Sequence, residues 1–203
     1  GALLLLSWLL VLLPSSVWFK NRMPGTIRIA GGTSGGEYSL VANTIADALE
    51  KSSGRSTELL ISHGSSENLE HLGSGKVHMA LLQADMVENE DVKDVAVVAP
   101  LYYEAVHVLT RTGELISELK DLKKRRVYIG HKKAGSRATA MRLLNYSGLS
   151  FSDLQIVEDL AAEPPVDAVI LVTRVGASEI ITLMSNGAYR LMEFSQAWEF
   201  ALN

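Results

Sequence analysis

Twice in its 203 residues this chain runs from a strand-like stretch into a glycine-containing turn that opens onto a helical pattern. The first passage is Thr26-Ile27-Arg28-Ile29-Ala30, which alternates, then Gly31-Gly32-Thr33-Ser34-Gly35-Gly36. Val41, Ile45, Ala48 and Leu49 follow at i, i+4, i+7 and i+8, the spacing of one helical face. The second passage is a strand over 126–129, the turn 130–135, and a helix over 136–147 with Ala140, Leu143 and Leu144 on one face. A strand that enters a helix through glycines leaves backbone N–H groups at the positive end of a helix dipole, with no side chain in the way. Two such turns in separate halves imply a cleft between two lobes, with each turn able to receive an anion.

The remaining pattern supports an α/β chain built on mostly parallel sheets. Strands are expected over 57–62, 77–82, 95–101, 103–110, 155–158, 166–172 and 189–194. Helices are expected over 65–72, capped by serine and closed by Gly73, over 177–186, and over 196–202. At 47% hydrophobic and 21% charged the chain is globular rather than disordered. With no cysteine it has no disulfide framework, thiolate metal site or cysteine nucleophile. A net charge of −4 argues against a general nucleic-acid binder.

Residues 2–19 stand apart. They carry no charge, 14 of the 18 are apolar, and they include Trp8 and Trp18. As a helix this stretch is about 27 Å long, near the hydrocarbon thickness of a bilayer. It reads as an uncleaved signal or membrane anchor, broken by Pro14-Ser15-Ser16.

The first glycine turn can be set against several motifs. Gly32-Thr33-Ser34-Gly35-Gly36 matches G-x-S-x-G, the nucleophile elbow of serine hydrolases, but it follows the first strand rather than a late one. The P-loop reading fails because Glu37 stands where a lysine is required, and no G-x-G-x-x-G register fits. Thr33 and Ser34 add hydroxyls, and Tyr38 lies in the first helical turn, placed to close over a ligand. In the second turn, Lys132, Lys133 and Arg137 bring three cations to a helix N-terminus, which opposes the dipole and suggests a bound anion. Lys132 and Lys133 read as solvated surface groups, whereas Arg137 can grip a carboxylate through two hydrogen bonds. His63, His71, His78, His107 and His131 lack metal-ligand spacing, so no metal and no cofactor is expected. Glu88-Asn89-Glu90-Asp91 reads as a solvated loop.

Four blocks then fall in order. They are Ile27 to Tyr38 with its G-x-x-G-G-x-Y turn, Gly64-Ser65-Ser66-Glu67-Asn68-Leu69, the segment from Gly75 to Asp85, and Ala99-Pro100-Leu101-Tyr102-Tyr103-Glu104. Together they resemble the solute-binding subunits of TRAP transporters in the TAXI (TRAP-associated extracytoplasmic immunogenic) group, over roughly residues 25–195. The resemblance implies a two-lobed periplasmic-binding-protein fold of type II-like topology. Lobe one would span 25–105 after the N-terminal segment 1–24, and lobe two 106–203. It also implies a chain that is C-terminally incomplete, lacking the return to lobe one.

Carried over by position, the ligand shell would draw on Thr33, Ser34, Gly36, Tyr38, Ser65, Asn68 and Gln83 from lobe one. From lobe two it would draw on Gly135, Ser136 and Arg137, where the family's usual G-S-G-T-R reads Lys133-Ala134-Gly135-Ser136-Arg137. The implied function is capture, without chemistry, of a small anionic solute such as a glutamate-like carboxylate or 2-oxo acid. Its implied partner is a TRAP-type membrane permease, and its location periplasmic, at the membrane through the N-terminal segment. Alternatives are a membrane-anchored sensory or regulatory domain of the same fold and, further off, a serine hydrolase.

Overall fold

A computed structural model describes residues 24–84, 86 and 95–193. The hydrophobic segment 2–19, the acidic run 88–91, Asp85 and the expected helix 196–202 lie outside the described residues.

Two sheets organise the chain. The first has three parallel strands, β1 (Thr26–Ala30), β2 (Ser56–Leu60) and β3 (Met79–Ala80), in the order β2-β1-β3. Ile27 and Ile29 alternate inward from β1, 3% and 0% exposed, and meet Ala42 and Ala46 of helix α1 (Glu37–Ser53). Those alanines fall one turn apart, so α1 lies close against the sheet, flanked by Val41, Ile45 and Leu49. Helix α2 (Ser65–Gly73) connects β2 to β3.

α2 begins differently from expectation. Gly64 is its N-cap, and the Ser65 hydroxyl accepts a hydrogen bond from the Gln83 N–H at 3.0 Å instead of capping its own helix. Gly73 is the last helical residue, and Ser74 follows as C-cap. Asn68, fully buried on α2, donates to the carbonyl oxygens of Gly31 and Leu81, the second at 2.7 Å. One amide thereby ties α2 to the turns leaving β1 and β3.

The second sheet comprises β4 (Ala105–Arg111), β5 (Arg126–Tyr128), β6 (Gln155–Val157), β7 (Ala168–Thr173) and β8 (Tyr189–Leu191), in the order β6-β5-β7-β4-β8. Helix α3 (Gly135–Tyr146) connects β5 to β6, and α4 (Ser178–Ser185) connects β7 to β8. Successive residues of β7 serve two cores. Ala168 and Ile170 join Val108, Val127, Leu143 and Leu144 on one face, while Val169 joins Leu109, Val166 and Ile180 on the other. A strand covered on both faces reads as a continuous apolar run, which is how this stretch appears in sequence.

Two expectations are corrected. The second sheet is mixed, because β4 runs antiparallel to both β7 and β8. Alternation of β and α patterns fixes neither strand direction nor neighbour, and β8 pairs with β4 rather than with β7, which precedes it in the chain. The apolar run 95–101 forms no strand. Val97 and Val98 are 72% and 83% exposed, and the run ends at Pro100, which cannot donate to a ladder.

Asn68→Ala removes the only side chain bonded to both the Gly31 and Leu81 carbonyls among the described residues. Leaving two buried acceptors without that donor is expected to destabilise the chain by about 2–4 kcal/mol, read as a lower midpoint in urea unfolding.

Candidate functional site

The cleft between the two sheets is built from the turns that leave their strands. Gly36 is the N-cap of α1 and Ala134 that of α3, and at neither does a side chain cap the free N–H groups. Both ends open on one cavity of about 470 Å³.

The two halves touch along its rim. Ser66 N–H donates to the Lys133 carbonyl at 3.1 Å, and Lys133 Nζ reaches Glu70 Oε2 at 2.8 Å. The rings of His63 and His131, one from each half, stack at 4.0 Å. On the far side Arg174 Nε lies 2.5 Å from Glu37 Oε1. Two glycines permit this approach. Gly64 has φ +124°, and a Cβ there would stand 3.1 Å from Ala134 Cα. At Gly135 a Cβ would overlap Gln83 Oε1 and reach within 3.0 Å of Ser65 Oγ. The Gln83 carbonyl oxygen therefore points at the first residue of α3. It is buried, with no hydrogen-bond partner among the described residues.

Of the residues singled out in sequence, Thr33, Gly36, Tyr38, Ser65, Gln83, Gly135 and Ser136 line the cavity. Their commitments differ. Ser136 Oγ contacts both the Val172 carbonyl (3.1 Å) and the Val172 N–H (3.2 Å), which pins the start of α3 to β7. The Tyr38 hydroxyl donates to Glu104 Oε2 at 3.4 Å. Burial, and next the Glu104 charge, push the Tyr38 phenol well above the ordinary range, so it stays protonated and a donor.

Three of the expected residues stand elsewhere. Ser34 is exposed and outside the lining. Asn68 spends its amide on the Gly31 and Leu81 carbonyls. Arg137 makes two hydrogen bonds to Glu158 (3.1 and 3.2 Å) and one to the Gly130 carbonyl, and its guanidinium lies 5.4 Å from the Phe151 ring centre. It braces the turn from β5 into α3 rather than facing the cavity. Lys133, expected as a solvated surface group, instead forms the ion pair to Glu70 that spans the two halves.

Sequence reasoning missed Glu37, Glu104 and Glu179, all of which line the cavity, and also His63 and His131. A usable signal existed for the histidines, since each adjoins a turn glycine, Gly64 or Gly130. Glu37 sits beside Tyr38 in the first turn of α1, and Glu179 is in the first turn of α4. Burial, then the charge of Glu37, holds the Glu179 carboxyl above its usual range.

The comparisons with known proteins agree with this architecture. A family model described as the NMT1-like family matches residues 29–197. Among solved structures, the chain is similar to the alkanesulfonate-binding protein of Xanthomonas axonopodis pv. citri bound to MOPS. That match has a TM-score of 0.59 and 19% identity over 87% of this chain and 63% of the other. The periplasmic aliphatic sulphonate binding protein of Escherichia coli matches at TM-score 0.53 and 18% identity, over 84% of this chain and 57% of that one. PhnD1 of Prochlorococcus marinus (MIT 9301) in complex with methylphosphonate matches at TM-score 0.61 and 12% identity, over 84% and 72%. The chain thus spans about 60% of the length of the two sulfonate-binding proteins. At these identities the likeness speaks to the fold, which is that of two-lobed periplasmic binding proteins. The first two of these structures are of proteins described as sulfonate-binding.

The histidine stack makes the cleft sensitive to pH. Burial, then the neighbouring His63, lowers the pKa of His131. Glu158 and Glu67 oppose that shift, while Arg137 adds to it. A lowered pKa means the joined halves bind the proton less readily than a separated His131, whose ordinary value is about 6.5. The contact is therefore retained above that pH and weakens as pH falls through it toward the depressed value. Thermal unfolding is expected to shift downward between pH 7.5 and pH 5.5, and His131→Gln, which does not titrate, is expected to flatten that dependence.

Proposed function

The chain belongs to the NMT1-like family, and on that premise we propose that it is an extracytoplasmic solute-binding protein of a transporter. Its two lobes, 25–105 and 106–203, close over a small carboxylate, a glutamate-like acid or a 2-oxo acid, and no bond is made or broken. The observation that carries this reading is the meeting of two uncapped helix N-termini, of α1 and α3, on one cavity. Each supplies backbone donors that the other lobe lacks, so an oxyanion held by both favours the closed form.

Thr33, Gly36, Tyr38, Ser65, Gln83, Gly135 and Ser136 form the ligand shell in this proposal. Asn68 and Arg137 act behind it, holding the turns on which the shell stands. The permease that receives the solute is of the TRAP type, a reading that rests on the four sequence blocks shared with the TAXI group. The apolar segment within 1–24 directs the chain out of the cytoplasm and keeps it at the membrane.

A thermal-shift panel of carboxylates, sulfonates and phosphonates tests the binding reading. At about 100 times Kd a ligand stabilises its protein by about 2.7 kcal/mol, readily seen as a raised Tm. Gly135→Val, which drives a side chain onto Gln83 and Ser65, is expected to abolish the shift. If no member of the panel raises the Tm of the unmodified chain, the reading is wrong.

A further inference from the structure

Opposite charges join the two halves on both sides of the cavity. On one side Lys133 Nζ reaches Glu70 Oε2 at 2.8 Å, and the Glu67 carboxylate lies close enough to interact with it. Neither Lys133 nor Glu70 lines the cavity. On the other side Arg174, the residue after β7, approaches Glu37, with its Nε 2.5 Å from Oε1. Here the partner from the first half does line the cavity.

The position of Glu37 gives that second pair a consequence the first lacks. Glu37 is the first residue of α1, so its carboxylate stands at the positive end of the dipole that an incoming oxyanion would use. Its side chain is only 13% exposed, and water screens its charge poorly. The guanidinium that neutralises it belongs to the other half. Separating the halves carries Arg174 away with β7 and leaves an uncompensated anion facing the cavity. α3 has no acidic residue in its first turn, so the effect is confined to α1.

Glu179 also approaches the start of α1 from the second half. A Cβ at Gly36 would lie 3.4 Å from its Oε1. Burial, then the charge of Glu37, holds its carboxyl above the usual range, so it carries its charge less readily than an exposed glutamate. The second half thus brings to this place a full cation in direct contact with Glu37 and a carboxyl biased against ionising.

Resting on the solute-binding reading, we propose that Glu37 and Arg174 form a charge gate that couples closure of the halves to oxyanion affinity. With the pair made, the start of α1 receives an anion; with it broken, Glu37 repels one and a held solute is released. Lys133 and Glu70 form a latch on the opposite rim, which favours closure from outside the cavity lining. Both pairs are partly exposed, so salt screens them and closure responds to ionic strength.

The chain has no cysteine, so Lys51→Cys and Asn145→Cys, at exposed positions on α1 and α3, take spin labels that report the separation of the halves. Arg174→Ala and Lys133→Ala are each expected to move the distance distribution to longer values, as is a change from about 0.1 M to about 1 M NaCl. A distribution that none of the three moves overturns the proposal. Isothermal titration with 2-oxoglutarate, ethanesulfonate and methylphosphonate reads the gate itself. Arg174→Ala is expected to weaken whichever anion binds by about five- to tenfold, and Glu37→Gln added to it to recover most of that loss. A merely structural contact gives no such recovery, because glutamine beside alanine cannot rebuild the pair. A double variant that binds no better than Arg174→Ala overturns the gate, as does binding that Arg174→Ala leaves unchanged, and both leave the solute-binding reading standing. Failure of the unmodified chain to bind any of the three anions removes both.

Discussion

The contact between the start of α3 and the pair Ser65 and Gln83 sets the geometry of everything around the cleft. At Gly135 there is no room for a side chain, so backbone from the second half lies directly against polar groups of the first. Such an approach is open only to glycine. The Ser66 to Lys133 backbone hydrogen bond, the stacked His63 and His131 rings and the Lys133–Glu70 ion pair all lie beside it along the same rim. Backbone N–H groups of α3 thereby face the cavity at short range, where they can act on a ligand without an intervening side chain.

Around that contact the polar residues divide into those that face the cavity and those that hold it in shape. Asn68 and Arg137 have the chemistry of ligand-binding side chains, yet both are used internally. Asn68 donates to two buried carbonyls, that of Gly31, which the Ser62 hydroxyl also reaches, and that of Leu81, and Arg137 neutralises Glu158 behind the turn into α3. Ser136 is an intermediate case, facing the cavity while its hydroxyl serves Val172. The charge of the cavity consequently comes from carboxylates, with the helix ends providing its positive potential.

Much of the fold could be read from the chain. β1 and α1 announced themselves through the alternation of Ile27 and Ile29 and the one-face spacing from Val41 to Leu49, and β7 through its unbroken apolar run. The failures share one physical cause. Residues 95–101 have strand-like composition, but a strand exists only where a neighbour pairs with it, and none does among the described residues. The direction of β4 likewise depends on which strands flank it. Ten candidate ligand residues were carried over from the family resemblance and seven line the cavity, whereas Ser34 and Arg137, although they belong to the glycine turns and their helix starts, do not. Glu104 and Glu179 were not legible, since each is brought in by an element distant in sequence from both turns.

By itself the sequence determined the local elements: two strand–glycine–helix turns, their exposed N–H groups and the glycines at 64 and 135. Those follow from backbone sterics and hydrophobic periodicity, which act over a few residues. Only the tertiary structure decided which side chains share the cavity, that Arg137 and Asn68 turn away from it, and that three carboxylates face the same space as the uncapped helix ends. Charge and hydrogen-bond demand at a site are sums over groups far apart in the chain, and packing alone brings those groups to one place.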